Sequence, residues 1–286
     1  MNDTTAPIPA PRSVPGSAPQ STSGSISGSA SQSASGSASQ STLRAMSPLV
    51  AQTRAELRMT LRRGESLLLT LGIPVALLIF FSLVDVLPTT TEKPVQFLGP
   101  GVLALAVMSA AMVGLAIATS FERQYGVLKR IGTTPLGRTR LLVAKIIAIV
   151  AVEIVQFAVL LPVGLALGWR PPLSGLPAAA AAVLLGTSAF AGLGLAMAGA
   201  LRAEMVLAAA NGLYVLLLLV SGMMIPLAKL PGALQAIARG LPSSALADVL
   251  RGLLTNGANA PGRAWIVLAL WAVLGPIVAI RLFRWE

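Results

Sequence analysis

From residue 66 onward the chain is a succession of apolar runs, each close to the length that crosses a bilayer. No other feature constrains the fold as strongly. A hydrocarbon core about 30 Å thick takes about 20 apolar residues of α-helix. The runs lie at about 66–86, 98–119, 141–167, 176–201, 205–224 and 265–282. They predict an all-α membrane protein with six transmembrane helices. Only Arg202, Ala203 and Glu204 separate the fourth run from the fifth. One helix through both would be far longer than the bilayer is thick, so a tight turn is expected there. Composition agrees with this reading. Apolar residues make up 55% of the chain and mean hydropathy is +0.80, too apolar for a water-soluble domain of 286 residues.

Three segments follow from the pattern. Residues 1–42 are of low complexity, with a stretch, "GSISGSASQSASGSASQST", that is nearly all Ser, Gly, Ala and Gln; they have too little apolar surface to offset ordering entropy and are read as a disordered tail. They lack the apolar centre of a secretory signal. Residues 43–65 read as an amphipathic helix. Leu49, Val50, Thr53, Leu57, Thr60 and Leu61 share one arc, and Arg54, Arg58 and Arg62 line up beside it at four-residue spacing. Such a helix lies in the interface with its cations at lipid phosphates, or is a basic flank of the first span. Residues 66–286 form the six-helix domain.

The missing residue types narrow the chemistry. The chain has no Cys and no His, which argues against a thiol enzyme or a zinc hydrolase. No Gly-Lys pair occurs, so there is no phosphate-binding loop of the G-x-x-x-x-G-K-[ST] kind. A net charge of +11 raises the question of nucleic acid, but no aromatic-basic platform accompanies it. No cofactor is expected, and energy for any transport must come from a partner or an ion gradient.

The cations are distributed unevenly. With six spans, one side of the membrane carries six in the tail, six in the second loop, one in the fourth loop and two at the C-terminus, 15 of the 21. Both termini are therefore expected to be cytoplasmic, in the cell membrane. The second loop, "FERQYGVLKRIGTTPLGRTRLLVAK", is more than a topological signal. Tyr125, Leu128 and Ile131 are apolar at three-residue spacing, with Lys129 and Arg130 between them. Gly132 can stop a short helix, and Thr134 with Pro135 can start the next. A short amphipathic helix in the cytosol needs a cover for its apolar side.

This loop resembles that of the ABC-2 type exporter permeases. The resemblance rests on Glu122, Tyr125-Gly126, Leu128-Lys129-Arg130, Thr134-Pro135-Leu136 and Lys145. A second stretch, with Ser221-Gly222, Pro226, Leu230-Pro231, Pro242 and Leu250-Arg251, is similar to the same family, as is the closing "RLFRWE". The resemblance covers about residues 44–286. It implies a coupling helix that docks on a separate ATP-binding-cassette ATPase subunit, which holds the ATP. Glu122, Tyr125, Gly126, Leu128, Lys129, Arg130, Ile131 and Pro135 would carry the contact. It also implies a pair of permeases, identical or not, and export of an amphipathic substrate such as a drug, an antibiotic or a lipid-like molecule. Polysaccharide export shares the architecture. A proton-driven carrier is a different class and would need a protonatable path.

Within the spans, Glu153 lies two turns beyond Lys145, where a charge costs about 2.5–3.5 kcal/mol unless it faces the bundle interior. Gln156 is placed to hydrogen-bond beside it. Glu153, Asn211 and Ser221 are candidates for a substrate path by polarity alone; for Glu153 a plain packing contact is the alternative. Ala106, Ala110, Gly114 and Ala118 in the second span, and Ser188, Gly192, Ala196 and Ala200 in the fourth, give small-residue faces for close helix packing. Pro162 is expected to kink the third span. The fifth loop reads as two short helices, one opened by Pro231 and one capped by Ser243 or Ser244. Leu234, Ile237, Leu241, Leu246, Val249 and Leu250 suggest that these dip into the outer leaflet, as a lid or a plug.

Overall fold

The computed structural model describes residues 53–54, 58, 64–84, 94–127, 137–224, 226–255 and 259–282, with side chains from residue 70 and residue 140 in the two helices that begin at 64 and 137. All regular structure among them is helical. The Ser/Gly-rich tail lies outside these residues, and so does Arg62. Arg54 and Arg58 are helical and exposed.

Helix α1 is Gly64–Leu83. Helix α2 runs from Pro94 to Gln124 and contains a π-helical turn at Ser109–Gly114. Helix α3 is Gly137–Ala166, α4 is Leu176–Ala200 and α5 is Ala203–Val220. Two short helices follow, α6 at Gly232–Ala238 and α7 at Pro242–Leu254. Helix α8 is Gly262–Leu282. Five of these, α2, α3, α4, α5 and α8, are long and apolar enough to cross a membrane. The apolar section described in α1 is shorter, Thr70–Leu83.

The expected tight turn between the fourth and fifth runs is present. Leu201 and Arg202 take extended backbone between the last residue of α4 and the first of α5. The second span is longer than its apolar run, because the helix continues through Phe121, Glu122, Arg123 and Gln124. Its 31 residues extend about 46 Å, well beyond the hydrocarbon core. Pro162 sits inside an unbroken helix.

Helix α2 is the centre of the bundle. Its most apolar window is 72% buried by the rest of the chain, against 22% for α5 and for α8. The small residues explain how neighbours come so close. Gly192 of α4 lies against Gly275 of α8, where a Cβ would strike backbone, and Ser188 Oγ donates to the Ala272 carbonyl at 2.8 Å. Gly194 lies against the Met112 carbonyl in the π-helical turn of α2. Ser188 and Gly192 of the expected fourth-span face are thus used between α4 and α8, whereas the α4–α2 contact runs through Gly194 and Met112, outside the expected faces. Without hydrophobic drive in lipid, such close backbone approach is what holds helices together.

The short helices correct two expectations. Helix α7 is capped by Leu241 with Pro242 in the first turn, and neither Ser243 nor Ser244 supplies a side-chain cap. Proline at the first helical position needs no N–H partner, so it fixes the start one residue ahead of the serines. Nor does α7 offer its apolar side to lipid. Leu246, Val249 and Leu250 are fully buried, because α7 packs on α2, α4 and α8. Leu234 and Ile237 of α6 do remain exposed.

Candidate functional site

The polar side chains gather at three places, and the most connected is the end of α2. Gly126 stops the helix with φ +71°, and its N–H donates to the Arg123 carbonyl. Left-handed backbone at this position is what glycine supplies without strain. Just before it, Glu122 and Lys145 of α3 form an ion pair at 2.6 Å, with both side chains buried. The sequence marks Lys145 only as the opening of a span; the structure gives it a partner 23 residues away. Arg123 turns from the loop towards α4. Its guanidinium donates to the Gly199 carbonyl at 2.6 Å and to the Leu201 carbonyl. The first belongs to the last turn of α4 and the second to the residue that follows it; neither carbonyl has an intrahelical donor, and a cation there also suits the helix dipole. Gln124 Nε2 donates to Glu204 Oε1 in the first turn of α5 at 3.0 Å. Arg123, Gln124, Arg202 and Glu204 line a cleft of about 430 Å³.

Of the residues expected to couple to a partner, Tyr125 is 74% exposed and stacks on Phe121, and Gly126 forms the turn. Glu122 points the other way, into its pair with Lys145. Leu128, Lys129, Arg130, Ile131 and Pro135 lie outside the described residues.

The second place is mid-span. Glu153 is buried, as its depth demands, but its partner is not Gln156. Thr187 of α4 donates to Glu153 Oε2 at 2.7 Å, and Gln156 Nε2 donates to the Thr70 carbonyl of α1 at 3.0 Å. The helix directs the two side chains to different neighbours, α4 and α1. The sequence marks Thr187 only as a hydroxyl in an Ala/Gly/Leu run. Asn211 is exposed on α5 and donates to the Leu207 carbonyl of its own helix. Ser221 is buried in the turn after α5, donating to the Leu218 carbonyl and accepting from the Met223 N–H. Glu153, Asn211 and Ser221 are therefore each engaged separately.

The third place is at the Pro94 end of α2. Arg251 of α7 lies 4.0 Å over the Phe97 ring and donates to the Gly222 carbonyl at 2.9 Å. Its ion pair with Asp248 is looser, at 3.6 Å. Burial pushes the Arg251 guanidinium down to about 10, with Asp248 opposing. Burial pushes the Asp248 carboxyl up, against the pull of Arg251 and Arg239. Beside them Trp169 fills a slot between α2 and α3. A Cβ on Gly99 or Gly164 would come within 2.7 Å of its indole. Gly168, at φ +91°, ends α3 and turns Trp169 back, so that its N–H reaches the Gly164 carbonyl.

Among the described residues no group of three or more His, Cys, Asp or Glu side chains could hold a metal. The polar groups join helices to one another. A family model described as the ABC-2 type transporter matches residues 49–255, from the stretch before α1 to the end of α7. No curated protein matches the chain. A helical bundle of membrane-crossing length, matched over most of its residues and lacking any ATPase motif of its own, places this chain in the ABC-2 type transporter family as a multi-pass membrane permease, a transport subunit.

Proposed function

We propose that this chain is the permease subunit of an ATP-driven exporter of amphipathic molecules, a drug, an antibiotic or a lipid-like compound. Six helices, α1 to α5 and α8, would cross the cell membrane with both termini in the cytoplasm. The permease would work as a pair, identical or not, on two ATP-binding-cassette subunits. The segment after Tyr125 is the docking element, with Leu128 and Ile131 as an apolar knob and Lys129 and Arg130 at its rim. Closure of the ATPases would tilt α2 and α3, on either side of that segment, and open the seam outward.

The observation that carries the reading is the family match over 49–255 in a chain without a Gly-Lys pair. A membrane transport subunit with no nucleotide site needs one supplied from outside. The exposed Tyr125 at the end of α2 supports the same side for docking. The test is copurification of an ATPase with the tagged chain, followed by Leu128→Asp with every cation retained. Truncating a buried hot spot typically costs 2 kcal/mol or more, so complex yield at limiting concentration should fall at least about tenfold. Membrane insertion should be unchanged. An undiminished complex would remove Leu128 from the interface.

A further inference from the structure

Three consecutive residues at the end of α2 hold three different helices. Glu122 holds α3 through Lys145, Arg123 holds the last carbonyls of α4, and Gln124 holds the first turn of α5 through Glu204. None of these bonds is needed to end α2, since Gly126 does that. The Arg123 bonds are the charge-assisted ones towards α4, and one planar guanidinium spans both carbonyls. The receiving turn has no slack, because only the extended residues Leu201 and Arg202 separate α4 from α5. Helix α5 is one of the helices least covered by the chain, so its position depends strongly on how its end is held.

We propose that Arg123 is a positioning residue for coupled transport: it makes the α4–α5 turn follow α2 when the end of α2 is displaced. Arg123 lies two residues before Tyr125, where the basic segment leaves the helix, so a push delivered there reaches the α4–α5 turn through the guanidinium, beside the Gln124–Glu204 bond to α5. The inference rests on the coupling reading proposed above.

Because the chain has no Cys, Asn211→Cys gives α5 a unique thiol at an exposed position. The complex of this variant with its copurified ATPase is placed in lipid nanodiscs. A membrane-permeant maleimide is the probe, and its labelling rate on this chain is measured with and without ATP and vanadate. With Arg123 intact, nucleotide changes the rate. Adding Arg123→Gln should shrink that change about tenfold, the scale of losing charge-assisted bonds, while assembly and ATP hydrolysis persist. A full nucleotide response in R123Q overturns the role of Arg123. No response in the Arg123-intact complex overturns the coupling reading itself. Should R123Q fail to assemble, R123K carries the test, because an ammonium cannot span both carbonyls in the fork geometry. A reduced response in R123K then supports the role, and a response equal to the Arg123-intact complex overturns it.

Discussion

The two ends of α2 are held by opposite means. At Gln124 the helix is tied to α3, α4 and α5 by charge: Glu122 to Lys145, Arg123 to the carbonyls of α4, Gln124 to Glu204. At Pro94 it is held mainly by shape. Trp169 fills the slot left by Gly99 and Gly164, and Phe97 lies under Arg251. Directed bonds to charged groups have few alternative geometries, and breaking the Glu122–Lys145 pair leaves a costly buried charge. Packed rings and glycines resist compression but lose contact energy gradually. The comparison predicts that the charged end switches between discrete arrangements and that the packed end is a fixed point about which α2 pivots.

The largest effect should come from breaking the charged end. Lys145→Met leaves the buried Glu122 carboxylate without its ammonium, a class of change that costs about 3–5 kcal/mol. Thermal unfolding in detergent should show a large drop in midpoint. Glu122→Gln together with Lys145→Met should recover much of it, because no buried charge remains. A Lys145→Met chain as stable as the parent would mean that the carboxylate is not committed to this pair.

The packed end should respond less, and to volume rather than charge. Gly99→Ala puts a methyl group 2.7 Å from the Trp169 indole, and overpacking of this kind costs about 1–3 kcal/mol. Trp169→Phe, with its smaller ring, should relieve part of the strain when combined with it. Equal loss in the single and the double variant would show that the slot is not what Gly99 provides.

How much of this was legible in the sequence follows the same division. Five of the spans were legible because lipid demands long apolar runs, and the Leu201–Arg202 turn because the bilayer limits helix length. The faces of Ser188 and Gly192 were legible because small residues at four-residue spacing mark close helix contact. The partners were not. Glu122 meets a residue 23 positions away, Arg123 meets carbonyls 76 and 78 away, and Glu153 meets Thr187 34 away. Helix periodicity speaks only of neighbours three and four along, which is why Gln156 was assigned to Glu153. The end of α2 was missed for a related reason. Hydropathy marks where lipid stops, and the helix runs on through Glu122, Arg123 and Gln124, whose polar side chains find partners there. The apolar side of α7 was assigned to lipid because sequence alone does not distinguish lipid from a packed helix as its cover.

The smallest effect tests whether charge matters at the packed end at all. Among the described residues Asp248 is the acid of that end, and burial holds its carboxyl above the ordinary aspartate range despite Arg251 and Arg239. A carboxyl raised on folding favours the folded state most when it is protonated, and that contribution is lost as pH rises through the raised value. Arg251, at about 10, stays charged throughout that window and adds no slope of its own. The difference in unfolding midpoint between the parent and Asp248→Asn should therefore move against the parent as pH climbs from the ordinary aspartate range towards neutrality. The Arg251 pair is loose at 3.6 Å and partly exposed, so this change should be the smallest of the three. A difference that instead moves in favour of the parent would mean that ion pairing outweighs burial. The Pro94 end would then be a second charged junction rather than a packed pivot.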